Sequence, residues 1–126
     1  MKSESIKIRN VINANEFDEF YNSLDSKSAL KLDEAILYLE TIYVLSAKFV
    51  KKIQNTDENL NELRVSVGCN EYRTIIVAID HDNVIQAKNI LLLNGFLKKD
   101  SKDYKKQIKK AENILKKLEY DTEIRP

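Results

Sequence analysis

Cysteine, histidine, glycine and proline are all nearly absent from this chain. Cys69 is the only cysteine, which excludes a disulfide framework and a cysteine-based metal site. His81 is the only histidine and stands between Asp80 and Asp82 in "DHDN". That stretch reads as a turn, and no second His or Cys accompanies it as a ligand. Cys69 also falls in a turn, with no histidine to activate it as a nucleophile. Two glycines and one proline among 126 residues leave no flexible linker and few punctuated loops. Neither a Walker A loop nor GxGxxG is present. Residues 1–11 are polar and broken by charge, unlike the apolar centre of a secretory signal. No apolar run approaches the ~18–20 residues of a membrane span. We therefore expect a soluble cytoplasmic protein, one domain over residues 1–126, with no cofactor and no metal.

Hydrophobic residues make up 43% of the chain, enough for a core. Charged residues make up 33%, above the usual ~25%. The formal net charge of +1 conceals an asymmetry. Residues 1–47 carry five basic and eight acidic side chains, and residues 48–97 carry six of each. Residues 98–126 carry ten basic and six acidic. Within residues 98–117 there are nine lysines against Asp100, Asp103 and Glu112. A basic run of this kind either solvates a helix face or meets an anionic partner.

Hydrophobic periodicity orders the elements. "SIKIRNVI" alternates and reads as a first strand. "NANEFDEFYNSL" reads as a helix capped by Asn13 or Asn15, with Phe17, Phe20 and Tyr21 on a core face. "DSKSALKLDEAILYLETIYVL" predicts a longer helix with Leu32, Ile36, Leu39 and Tyr43 on one side. A short join near Asp25 makes the two an antiparallel hairpin. "SAKFVKKIQNTDENLN" has no sustained period and reads as a loop. "LNELRVSVG" and "EYRTIIVAID" predict a β-hairpin. "VIQAKNILLLNGFL" predicts a third strand buried on both faces, broken by Gly95. "DYKKQIKKAENILKKLEY" is an amphipathic helix with Ile108, Ala111 and Leu118 on its apolar stripe. The order β-α-α-β-β-β-α is that of an α+β domain, a twisted sheet covered by helices.

The hairpin carries the first chemical signal. A four-residue loop over residues 68–71 would pair Val67 with Tyr72 and Ser66 with Arg73. Side chains alternate with period two, so Arg64, Ser66 and Arg73 share one face. Two guanidiniums on adjacent strands suit a phosphate, because each stays charged and offers a planar donor fork. The plainer alternative is a pair of surface arginines matched to Glu62 and Glu71. Phe96 is a core plug or a base-stacking platform. Tyr104 can stack on a base, assist proton transfer, or simply pack the last helix onto the sheet.

The ordered set of segments from residue 48 to 118 resembles the RelE/HigB group of bacterial type II toxins, especially its phage-derived Gp49-like branch. The segments are residues 49–53, then Glu62, Leu63 and Arg64, then Tyr72 and Arg73, then the apolar run 90–93. Gly95, Phe96, Leu97, Lys98 and Lys99 follow, and then a basic helix containing Ala111. Glu62 stands where some RelE relatives carry lysine. The resemblance implies a small twisted sheet of antiparallel type, an N-terminal helical hairpin and a C-terminal helix. It implies a toxin neutralised by a cognate antitoxin, often helix-turn-helix and DNA-binding. It also implies metal-independent endoribonuclease action on mRNA, commonly on the ribosome, by attack of the RNA 2′-OH on the adjacent phosphate. In that frame Arg64 and Arg73 would bind the scissile phosphate, Lys98 or Lys99 would neutralise the leaving oxygen, and Tyr104 would be an aromatic of the active face. Lys102, Lys105, Lys106, Lys109 and Lys110 would contact RNA backbone. The alternative within the same fold is a non-catalytic binder, either a ParE-like gyrase inhibitor or a decayed toxin that keeps antitoxin binding. A third reading, an accessory nucleic-acid-binding protein, rests on the lysine helix alone.

Overall fold

The computed structural model describes residues 6–56 and 58–124, with side chains to Glu119. Its elements are β1 (Asn10–Asn13), α1 (Asn15–Asn22), α2 (Ser26–Thr41), β2 (Val50–Lys52), β3 (Leu60–Val67), β4 (Asn70–Ala78), β5 (Asn89–Leu97) and α3 (Ser101–Ile124). The strands form one sheet in the order β1-β5-β4-β3-β2. All neighbours are antiparallel except β1 and β5, which are parallel. The α+β class is as expected, with the sheet mixed at one edge.

Period-two alternation divides the sheet residues between two cores. Leu63, Val65, Ile76, Ile90 and Leu92 meet Phe17, Leu32 and Leu39 of the helical hairpin. Leu60, Ile75, Val77, Leu91, Leu93 and Phe96 meet Ala111, Ile114 and Leu115 of α3. Burying a side chain of this size contributes roughly 1.5–3 kcal/mol, so the two helical layers hold the sheet from both faces. Asp25 caps α2 by accepting the Ser28 N–H at 3.0 Å.

Several boundaries differ from the sequence reading. In the expected first strand, Ser5 lies outside the described residues, and residues 6–9 are not paired as a strand. Arg9 is the cause. Its guanidinium is buried and donates to the carbonyls of Leu39, Ile42, Tyr43, Val84 and Ile85 at 2.6–3.1 Å. Ile6 and Ile8 are exposed. The first helix is capped at Ala14 rather than by an asparagine side chain. The second helix ends at Thr41, because Ile42 turns extended, and Tyr43 is exposed instead of lying on its core face. The aperiodic loop contains a three-residue strand, β2, too short to show a period.

The third strand starts only at Asn89 and runs through Gly95 to Leu97. Gly95 therefore does not break it. A Cβ at Gly95 would lie 2.1 Å from the Phe20 ring. The glycine allows a helix aromatic to touch the sheet backbone. "DHDN" is a turn as expected: Asp80 accepts the Lys88 and Asn89 N–H groups, and His81 Nδ1 accepts the Asn83 N–H at 2.9 Å. Backbone donors, first that of Asn89, hold the Asp80 carboxyl below its ordinary range.

Candidate active site

The β3–β4 turn has two residues, Gly68 and Cys69, not four. Gly68 has φ +61°, at the first turn position, where the tight hairpin turn requires positive φ. This moves the register. Arg64, not Ser66, stands opposite Arg73. The slide is by two residues, so Arg64, Ser66 and Arg73 still share a face. The Arg64 N–H donates to Phe49 O at 2.7 Å, on the far side of β3 from β4. Arg64 and Arg73 are thus a non-hydrogen-bonded cross-strand pair, the type in which side chains lie closer.

Like charges directly opposite repel. One carboxylate resolves the conflict. Glu62 lies two residues before Arg64 on the same face. Its Oε1 accepts from Arg64 Nε at 2.7 Å and lies 3.6 Å from Arg73 Nε. Its Oε2 accepts the Tyr104 hydroxyl. Glu62 and Arg73 are almost fully buried, with side chains 7% and 6% exposed, whereas Arg64 is 29% exposed. Arg73 Nη1 donates to Tyr72 O at 3.0 Å and to Glu71 Oε1 at 3.3 Å. Its Nε is buried without a hydrogen-bond acceptor. Ser66 Oγ donates to Glu71 Oε2 at 2.7 Å. The Glu71 carboxyl sits below its ordinary range, chiefly through Ser66 and further through Arg73.

Tyr104 arrives from the first turn of α3. Asp100 caps that turn, accepting the Asp103 N–H at 2.8 Å. The Tyr104 ring stands edge-on to Phe96, with centroids 6.0 Å apart. Burial first, and the bond to Glu62 second, push its phenol pKa well above the ordinary value. At neutral pH Tyr104 is a hydrogen-bond donor and not a base. Phe96 is a core plug, 6% exposed, rather than a stacking platform.

The remaining candidates separate into two groups. Lys98 and Lys99 are exposed between β5 and α3. The Lys98 N–H donates to Glu71 O at 2.7 Å, and its charge helps depress the Glu71 carboxyl. Lys102, Lys105, Lys106, Lys109 and Lys110 are exposed along α3. Of these, Lys106, Lys109 and Lys110 line a separate groove of about 370 Å³ with Lys117 and Glu16. The lysine run is thus a solvated helix face for most of its length. Of its lysines, Lys98 is tied to the arginine-bearing strand, through Glu71.

Glu62 is the residue that sequence reasoning undervalued, having entered only as a surface counter-ion. The available signal was parity: Glu62, Arg64 and Ser66 alternate, as do Glu71 and Arg73. Among the described residues, no three His, Cys, Asp or Glu side chains gather as a metal site.

A family model described as phage-derived protein Gp49-like (DUF891) matches residues 19–116. The chain belongs to this family. Glu62, Arg64, Arg73, Lys98 and Tyr104 all lie inside the matched span. Among solved structures, a double arginine-to-alanine mutant of E. coli toxin RelE in the free state has the same fold. It superposes with a TM-score of 0.55 at 12% identity, covering 82% of this chain and 97% of that one. No curated protein matches. No described helix of this Gp49-like protein is long and apolar enough to cross a membrane.

Proposed function

We propose that this protein is the toxin of a type II toxin–antitoxin pair and acts in the cytoplasm as an endoribonuclease on mRNA, on the ribosome. The observation that carries this reading is the directly opposed Arg64–Arg73 pair, gathered by the one carboxylate found buried among the described residues. Family membership and the RelE-like fold support a toxin with a cognate antitoxin, which in this proposal is of the helix-turn-helix, DNA-binding kind.

The reaction needs no group beyond RNA and protein. The 2′-oxygen bonds to phosphorus, the bond to the 5′-oxygen breaks, and a 2′,3′-cyclic phosphate and a 5′-hydroxyl result. Arg64 and Arg73 stabilise the charge that grows on the phosphate oxygens, and their preorganisation makes this effective. Glu62, the carboxylate between the two guanidiniums, is the group we assign to accept the 2′-hydroxyl proton. Tyr104, kept protonated, holds Glu62 in place. Lys98 or Lys99 neutralises the leaving 5′-oxygen by giving it the proton that completes the 5′-hydroxyl. The exposed lysines of α3 contact RNA phosphates and make binding salt-dependent.

The test is expression in a bacterium with mapping of mRNA 5′ ends. Codon-linked cleavage is expected, reduced about 100-fold by Arg73→Ala or Glu62→Gln while circular dichroism is unchanged. A second reading has one observation in its favour: both guanidiniums are already engaged by Glu62 and Glu71. In that case the face is non-catalytic, and the protein blocks gyrase or binds antitoxin alone. Growth arrest with intact mRNA and broken DNA would decide for the gyrase version; no toxicity would decide for the decayed one.

A further inference from the structure

A second feature adjoins the arginine pair on the open edge of the sheet. β2 pairs with β3 only from Leu63 back to Asn61. Residues 65–67 of β3 pair with β4 alone, so β3 has a free edge beside Arg64. Between that edge and α2 runs a groove of about 370 Å³ lined by Lys31, Tyr38, Lys48, Phe49, Arg64 and Ser66, among others.

Phe49 is the notable wall of this groove. It is a large aromatic ring, 42% exposed, in a groove lined also by Ala35, Tyr38 and Val65 and by the charged Lys31, Glu34, Lys48 and Arg64. Two contacts hold it. Its ring stands edge-on to Tyr38 at 5.4 Å, and the Tyr38 hydroxyl accepts the Ser46 N–H at 2.7 Å. Its carbonyl accepts the Arg64 N–H at 2.7 Å. The Phe49 backbone is therefore fixed one strand away from that of Arg64, a spacing of about 5 Å, and both residues line the groove. Lys48 Nζ lies 5.7 Å from the ring centroid. Lys31 holds Glu34 only loosely, at 3.8 Å, and both are exposed. Lys31, Lys48 and Arg64 outnumber the groove's single acid, Glu34.

An exposed ring flanked by cations, at the sheet edge that carries Arg64 of the proposed phosphate-binding pair, suits single-stranded nucleic acid. Bases stack on aromatic faces with little regard to sequence, and lysines track the backbone. We infer that this groove seats the nucleotide next to the scissile phosphate, with its base on Phe49 and its own phosphate between Lys31 and Lys48. The inference rests on the ribonuclease reading and adds a subsite to it. The free β3 edge would also accept a peptide strand, but neither the exposed ring nor the lysines would then be needed.

The test uses the full chain and a fluorescein-labelled RNA octamer with 2′-fluoro riboses, which has no 2′-hydroxyl to attack. Binding is read by fluorescence anisotropy. Phe49→Leu keeps apolar volume but removes the ring, and it is expected to weaken binding about tenfold. Phe49→Trp is expected to retain binding, which separates loss of stacking from loss of fold. Lys48→Gln is expected to reduce the slope of log affinity against log salt by about 1. Wild-type affinity for Phe49→Leu, with binding still lost in Arg73→Ala, overturns the subsite and leaves the ribonuclease reading standing. Unchanged binding in both variants overturns both. Wild-type RNA affinity for Phe49→Leu together with weakened binding of an extended peptide assigns the groove to protein and overturns the inference.

Discussion

Arg9 and Arg73 are both buried arginines, 2% and 5% exposed, yet their surroundings are opposite in kind. Arg9 donates five hydrogen bonds, all to backbone carbonyls. These carbonyls come from the end of α2, the residues after it, and the turn before β5. Every guanidinium donor is used, and no anion is involved. Burial lowers the Arg9 pKa from its usual high value, and the side chain acts as a staple joining three segments. Arg73 faces Glu62 and Glu71, stands against a second arginine, and keeps its Nε without an acceptor. A saturated cation has nothing left to offer a ligand. An incompletely satisfied one, gathered with a like charge around a carboxylate, can exchange that carboxylate for a phosphate. Under the proposed function, the difference separates an arginine that builds the fold from one that serves the site.

The largest expected effect would establish the Arg73 side of this contrast. Arg73→Ala should reduce mRNA cleavage about 100- to 1000-fold. It should lower the urea unfolding free energy by only about 1–2 kcal/mol, less than the loss of a fully bonded buried arginine, because Glu62 keeps Arg64 and Tyr104 as partners. A large stability loss would make Arg73 a structural residue like Arg9. The converse variant, Arg9→Met, should cost about 3 kcal/mol of stability by leaving five carbonyls without their donor. Cleavage by the fraction that remains folded should be unchanged; a fall beyond the folded fraction would erase the contrast.

A smaller effect sharpens the account of the counter-ion. Glu62→Gln removes the charge that competes with phosphate. It should bind the 2′-fluoro octamer about tenfold more tightly at low salt by anisotropy, with the gain shrinking as salt rises. Weaker binding would show that Glu62 mainly orients the guanidiniums.

The smallest effect concerns pH. The Tyr104 phenol is raised by burial and by Glu62. A raised pKa stabilises the fold fully below the unfolded phenol value of about 10, and that contribution fades as pH rises towards the folded value. Wild type should therefore lose more stability than Tyr104→Phe between about pH 9 and pH 11, read from chemical unfolding at each pH.

Much of the architecture was legible because its signals are local. Alternation in "LNELRVSV" placed Arg64 and Ser66 on one side and Leu63, Val65 and Val67 on the other. The stripe through Ile108 and Ala111 oriented α3. The hairpin register was not legible in the same way, since it depends on whether the turn takes two residues or four. Only the positive φ of Gly68 decides that. Arg9 was misread because "SIKIRNVI" alternates as a strand does, while its partners lie 30 to 76 residues away. Gly95 was misread as a breaker because its reason is the Phe20 ring, packed from another layer. Tyr104 was recognised, but its partner Glu62 is 42 residues earlier.

Period two in strands and 3.6 in helices belong to the backbone, so the order of residues alone settled which side chains share a face. That was enough to put two arginines on one surface and a lysine helix after them. It could not say which charges meet. Glu62 is a solvated surface acid or the buried centre of the site according to whether α3 lays Tyr104 over it. Arg9 is a strand residue or a staple according to where the end of α2 comes to rest. Burial and ion pairing depend on what packs above a residue, and here that neighbour comes from a distant part of the chain.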